Sequence, residues 1–475
     1  MRDNLFSVSR RQFGQAIAGA SAALGANAVM AKPAGGGPWS QPARVAKVYM
    51  YSPAGMWPRP GLDFEQEMRE IDVRLAEVEQ KHLGRVKFVG VKPVRPGDDV
   101  GRWAADLNDI DGLLLVTLST GIPIAEVLEA TKRPSIYFSL PYAGHGWASI
   151  AGLRQRGYGV EALPTTSYGD LDPYMPVFQA ASHLRRSKMI VVTGRAAQRR
   201  ALTDSYTAKF GAAIKFMSLA DMKDVFASGD PGQAGKLAEE MTAGALRVIE
   251  PSPREIQDAM RFYLGIKKLL AEEQANAITI DCFGAISRET QKMDQLPAYP
   301  CMSWSLLNDE GMYGVCESDV NSTMTQMLLT PATGMPGFVS DPVFDLSRNE
   351  VIHAHCVSAR KMRGLNGPSA PYLLRSHLET AEGATFQVLL PAGDTITCAR
   401  FNGPDRLLVT TAEVTGHIQS DRGCRTQFRT VVSDARKWLD NYSGGLHRVI
   451  FYGNHTGTLK RMGRMMGFEV VDEMA

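Results

Sequence analysis

YGVCESDVNSTMTQMLL, residues 313–329, changes its periodicity in the middle. Tyr313 to Cys316 form a short apolar run of strand character. From Val320 onward the apolar residues Val320, Met324, Met327 and Leu328 recur at helical spacing, and Ser318 or Asp319 can cap that helix. The stretch therefore predicts a strand, a tight turn and a helix, the unit from which parallel sheets are built. Glu317 falls on the junction, where side chains point into the cleft at a sheet's carboxyl edge. A second carboxylate lies in PGFVSDP, residues 336–342: Asp341 follows the apolar pair Phe338–Val339 and precedes Pro342, which biases it to an extended conformation. Two carboxylates delivered at element ends in this way can share one hard divalent cation.

Working outward, strand-like and helix-like runs alternate on the N-terminal side. VAKVYMYS, VKFVGV, DGLLLVTLS and PSIYFSL read as strands, and LDFEQEMREIDVRLAEVEQKHLG as a helix between the first two. The alternation resumes after about residue 160 with SKMIVVTG, IKFMSL and AITIDCFG as strands. The long helix of SPREIQDAMRFYLGIKKLLAEEQ has Ser252 and Glu255 placed as a capping box. Beyond residue 345 the pattern becomes short strands separated by Gly, Asn or Asp turns, the signature of an antiparallel barrel or sandwich. The expectation is α/β: two doubly wound α/β lobes, 45–159 and 160–345, followed by an antiparallel β-module, 346–475. A signal segment at 1–31 and a Pro/Gly-rich linker at 32–44 precede them.

The 475 residues carry 52 Lys and Arg against 50 Asp and Glu, a formal charge of +2 with no basic block, which argues against a nucleic-acid partner. No GxGxxG or GxxxxGK[ST] motif is present, so the lobes need not bind a nucleotide. Near the start, SVSRRQF (residues 7–13) sets Arg10–Arg11 after Ser9 and before Phe13, followed by a weakly apolar, Gly/Ala-rich run and small-residue cleavage patterns ending at Ala28 or Ala31. This resembles a twin-arginine export signal. It implies engagement of the twin-arginine machinery and a periplasmic address, with no stable membrane insertion. The six cysteines are scattered, form no CxxC pair, and indicate neither a disulfide scaffold nor a zinc knuckle.

The C-terminal half also holds clustered histidines. His353 and His355 sit two apart in a strand-like run and so face one side, His377 and Glu379 repeat that spacing, and His447 opens LHRVIFYG. Together with GVCESDVNSTMTQMLL, GMPGFVSDP, NEVIHAHC and the run at residues 383–400, these residues resemble the L-fucose isomerase and L-arabinose isomerase superfamily, in its divergent fucose isomerase-like branch. The resemblance covers about residues 280–470. Where the family often has a doubled histidine in its last motif, Leu446 stands before His447.

The resemblance implies an aldose–ketose sugar isomerase acting through a cis-enediolate. Glu317 and Asp341 would be catalytic, and Glu317, Asp341, His447 and His355 would bind a divalent metal, Mn2+ or another such as Mg2+ or Co2+. It further implies a homo-oligomer, trimer or hexamer. Such a site could also enolise an oxidised keto sugar or glycoside, giving epimerisation or β-elimination. A periplasmic sugar-binding protein is a third possibility, although it needs no acidic pair. Trp57, His145 and Trp147, in turns of the first lobe, stack on a sugar ring or form surface turns.

Overall fold

The computed structural model describes residues 40–54 and 57–475. The export signal expected at 1–31, and most of the linker, lie outside the described residues. Strand β1 (Ala43–Met50) begins one residue before the expected end of the linker at residue 44.

Strand β1 pairs in parallel with β2 (Val86–Gly90) and β3 (Gly112–Thr117), β3 with β4 (Ser135–Ser139), and β4 with β5 (Val160–Pro164), giving the order β2-β1-β3-β4-β5. Every residue of β3 and β4 is buried, as expected where helices cover both faces of a parallel sheet. The second sheet is also parallel, in the order β7-β6-β8-β9, with β6 (Lys188–Val192), β7 (Ala213–Met217), β8 (Ala277–Ile280) and β9 (Tyr313–Cys316). The capping box of the long helix Pro253–Glu272 forms as read, with Ser252 and Glu255 bonding reciprocally.

Helix Met175–Arg186, which the periodicity did not reveal, joins the lobes. It packs on β1 and on helix Val320–Thr333. Its Phe178 ring lies so close to Gly112 that a Cβ there would sit 2.4 Å away.

The third module contains β10 (Phe338–Asp345), β11 (Glu350–His355), a separate hairpin of β12 (Tyr372–Arg375) and β13 (Thr385–Val388), and then β14 (Thr395–Phe401), β15 (Arg406–His417), β16 (Thr426–Val431), β17 (Arg448–Tyr452) and β18 (Glu469–Asp472). Six strands close on themselves: β14-β17-β10-β11-β16-β15, with β15 returning to β14, every pairing antiparallel. Closure removes the sheet edges.

Three expected features change. The module is mixed rather than purely antiparallel, because β18 adds to β15 in parallel. Strand β5 belongs to the first sheet although it lies past residue 159, and β10 belongs to the barrel although it lies before residue 346. Both shifts have one cause. The expected boundaries followed changes of local pattern, whereas sheet membership is set by pairing with strands distant in sequence. Among the described residues, no helix is long and apolar enough to cross a membrane.

Candidate functional site

The site is assembled where the second sheet meets the barrel. Strand β9 delivers Glu317 at its carboxyl end, and the chain turns there with Glu317 at φ +64° and Ser318 at φ +49°. Positive φ is costly for residues with a Cβ and persists only where surrounding structure imposes it. The turn is closed by Asp319, whose carboxylate accepts from the Ser322 amide at 3.1 Å and caps helix Val320–Thr333. Asp341 sits on β10 opposite Ala354 of β11, His355 ends β11, and His447 immediately precedes β17. Because β11, β10 and β17 are consecutive around the barrel, its closure brings their ends together against Glu317.

The four residues singled out from sequence converge. His447 Nε2 lies 3.3 Å from Asp341 Oδ1 and 3.5 Å from Glu317 Oε2, and His355 Nε2 lies 3.9 Å from Glu317 Oε1. One ligand-capable atom from each of Glu317, His355 and His447 falls within a 4.8 Å span. Asp341 Oδ1, His355 Nε2 and His447 Nε2 are all buried without a hydrogen-bond partner. An orphaned polar atom in a core is expensive, and a bound cation would satisfy the acceptor atoms among these.

Electrostatics in this cluster are strongly perturbed. Burial pushes the Glu317 carboxyl upward, but His447 and His355 beside it outweigh that and hold it below the usual carboxylate range. Burial pushes His447 down, yet Asp319 and Glu317 favour the charged ring and raise it to about 10. Asp319, largely buried, is held well below its ordinary value by Arg400 and His447 against the opposing push of burial.

The two histidines differ in how their second nitrogen is used. His447 Nδ1 lies 2.7 Å from Asp319 Oδ2, so Nδ1–H donates to the carboxylate and Nε2 faces Asp341 and Glu317, where loss of its proton would free a lone pair for a cation. That carboxylate–histidine arrangement is the one that orients metal-binding imidazoles. In His355, Nδ1 accepts from the Cys356 amide at 2.8 Å. In the neutral ring that contact places the proton on Nε2, which faces Glu317 at 3.9 Å. His355, expected among the metal ligands, is one of the three residues whose ligand-capable atoms gather at one point.

Support for His447 comes from residues the sequence reading passed over. Arg400 forms a charged pair with Asp319 and donates to Ser322 Oγ and, at 2.6 Å, to the Gly444 carbonyl. Gly445 has φ +105°, and a Cβ there would meet Arg400 at 2.8 Å, so the approach of the His447 loop requires glycine. Next to His447, Arg448 is fully buried against Glu473 and lies over the Tyr442 ring. Asp319 was legible only as a helix cap, and nothing local marks Arg400 or Glu473.

Glu317, Asp341 and His355 open onto a cavity of about 130 Å3 whose wall also includes Tyr299, His377 and Glu379. His353 shares a strand face with His355 but lies deeper. It is buried between Ser340 and Thr430 and stacks on Phe428. Trp57, His145 and Trp147 associate with one another in the first lobe, with Trp57 and His145 ring centroids 4.9 Å apart, and are not part of that cavity's wall.

The chain resembles named sugar isomerases over part of its length. It is 26% identical to sulfoquinovose isomerases from Priestia aryabhattai and Priestia megaterium (strain ATCC 12872 / QMB1551) over 215 residues, covering 44% of this chain and 46% of each relative. A sulfoquinovose isomerase from Clostridium sp. (strain MSTE9) is 25% identical over 168 residues, 34% of this chain and 35% of the relative. The chain thus spans about half the length of the relatives it matches or less. No family model matches it.

Proposed function

We propose that the protein is a divalent-metal-dependent aldose–ketose isomerase of the fucose isomerase-like branch. The observation that carries this reading is the convergence of Glu317, Asp341 and His447, with Asp341 Oδ1 and His447 Nε2 buried and unpartnered. The similarity to sulfoquinovose isomerases supports a sugar isomerase activity independently of that geometry.

Glu317, Asp341 and His447 would hold the cation, with Mn2+ or a similar hard ion suited to two carboxylates and an imidazole. When bound, such an ion supplies Lewis acidity toward a carbonyl and its neighbouring hydroxyl. The chain's own groups do the rest. One carboxylate of the Glu317–Asp341 pair takes the proton from the carbon beside the carbonyl and returns it to the adjacent carbon, while the other moves the hydroxyl proton. A proton on His355 Nε2 would donate to a substrate oxygen, and Asp319 keeps His447 in its binding orientation. The cavity wall contributes Glu317, Asp341 and Glu379 and, among the described residues, no lysine or arginine. That charge favours a neutral sugar over a sulfosugar.

Metal analysis of protein purified without a tag, followed by proton NMR in D2O with a panel of free, keto and sulfonated sugars, tests the reading. Solvent deuterium at the carbon beside the carbonyl together with aldose–ketose conversion is the expected result. Elimination or epimerisation without conversion would redirect it to lyase or epimerase chemistry. Glu317→Gln and Asp341→Asn should each abolish turnover with the circular dichroism spectrum unchanged, and near wild-type turnover in either would remove that residue from the mechanism. The SVSRRQF run supports export to the periplasm by the twin-arginine route, which fractionation of an Arg10→Lys, Arg11→Lys variant checks. A trimer or hexamer, implied by the resemblance, is checked by light scattering.

A further inference from the structure

Five of the six cysteines line the cavity that holds Glu317 and Asp341: Cys282, Cys301, Cys316, Cys356 and Cys424. All are free thiols. Cys356 belongs to a small apolar cluster on this wall, with Cys424 packed against it. Strands β11 and β16 are antiparallel with His355 opposite Thr426, so Cys356 and Cys424 follow and precede those strands one position off direct opposition. The turn carrying Cys424 is held by Gln427, whose side-chain amide donates to the carbonyls of Ser420, Gly423 and Cys424 at 3.0, 2.9 and 2.8 Å. Cys356 is buried, whereas Cys424 is only partly so and offers the point of entry. A buried cysteine commonly serves as a small apolar residue, and Cys398 in the barrel core fits that description. Packing alone does not require two thiols at the ends of neighbouring strands on one cavity wall.

We propose that Cys356 and Cys424 form a reversible dithiol–disulfide pair in the wall of this cavity, oxidised by small-molecule disulfides. The exchange balances in two steps. One thiolate of the pair attacks a sulfur of the small disulfide, forms a mixed disulfide and releases one small thiol. The other thiolate then attacks the protein sulfur of that mixed disulfide, closes the protein disulfide and releases the second small thiol. The two protons lost by the cysteines end on the two released thiols, and the small disulfide is the species reduced. The pair lies beside His355, whose Nδ1 is held by the Cys356 amide, so the bond closes next to a residue of the site.

The test exposes the reduced, folded protein to oxidised glutathione, denatures it in an alkylating reagent and maps non-reduced peptides. The expected result is a peptide joining Cys356 to Cys424, lighter by two hydrogens than the free pair and restored by reductant. In Cys356→Ser the intermediate has no resolving thiol, so a glutathione adduct should accumulate on Cys424. Finding both cysteines alkylated after oxidation, or a link from either to another cysteine only, would overturn the proposal. Should the variant fail to fold, the wild-type map decides alone.

Discussion

Asp319 has two jobs that are hard to separate by inspection, because it caps helix Val320–Thr333 and orients His447. Asparagine keeps the cap, since its side-chain oxygen can still accept from the Ser322 amide, but it removes the negative charge facing Nδ1. Asp319→Asn is expected to weaken Mn2+ binding by roughly 10–100-fold, the usual cost of losing a partner of a metal-bound histidine, with little change in thermal stability. Titration followed by the electron paramagnetic resonance of free Mn2+ checks this, and unchanged affinity would detach Asp319 from the metal. His355→Gln should behave in the opposite way. If His355 acts through its Nε2 proton, Mn2+ affinity stays near wild type while turnover drops about 100-fold, the scale of one lost donor at a reacting oxygen. Loss of metal with the same substitution would return His355 to the ligand set.

At the scale of elements, the start of β17 is fixed by a buried ion pair. Arg448 Nε and one terminal nitrogen reach Glu473 at 2.9 and 2.6 Å, and Trp438 Nε1 donates to the same carboxylate at 3.1 Å. Arg448 has no exposed surface, so removing its partner strands a charge in the core. Glu473→Ala is predicted to destabilise the barrel by about 3–5 kcal/mol. Urea unfolding followed by tryptophan fluorescence measures it, since Trp438 sits at the pair. A loss below about 1 kcal/mol, the scale of an exposed pair, would show that water reaches Arg448. Because His447 is the residue before Arg448, the variant should also lose Mn2+ affinity even where it remains folded.

For the whole molecule, the candidate ligands come from three separate stretches: the end of β9, the middle of β10 and the start of β17. An ion held by all three ties the second sheet to the barrel and binds the native state alone. Mn2+ at about 100 times its dissociation constant should stabilise the protein by about 2.7 kcal/mol, seen as a rise in melting temperature that a chelator reverses. A melting curve indifferent to Mn2+ and to chelator would mean that the convergence of Glu317, Asp341 and His447 does not bind it.

The sequence by itself determined the local elements and the chemistry-bearing residue types. The periodicity change at Glu317, the Ser252–Glu255 capping box and the alternation of strands and helices are properties of neighbouring residues, and they appear in the structure where the pattern put them. Glu317, Asp341, His355 and His447 were legible as a group through resemblance, and the structure brings them together. The tertiary structure alone decided the closure of six strands into a barrel, the assignment of β5 and β10 to their sheets, and the tautomers of the two histidines. It alone gathered five scattered cysteines around one cavity. The reason is physical. Periodicity and capping record interactions within a few residues along the chain, whereas strand pairing, the partner of a buried imidazole and the gathering of thiols on one wall depend on groups tens to hundreds of residues apart, which meet only when apolar surface is buried.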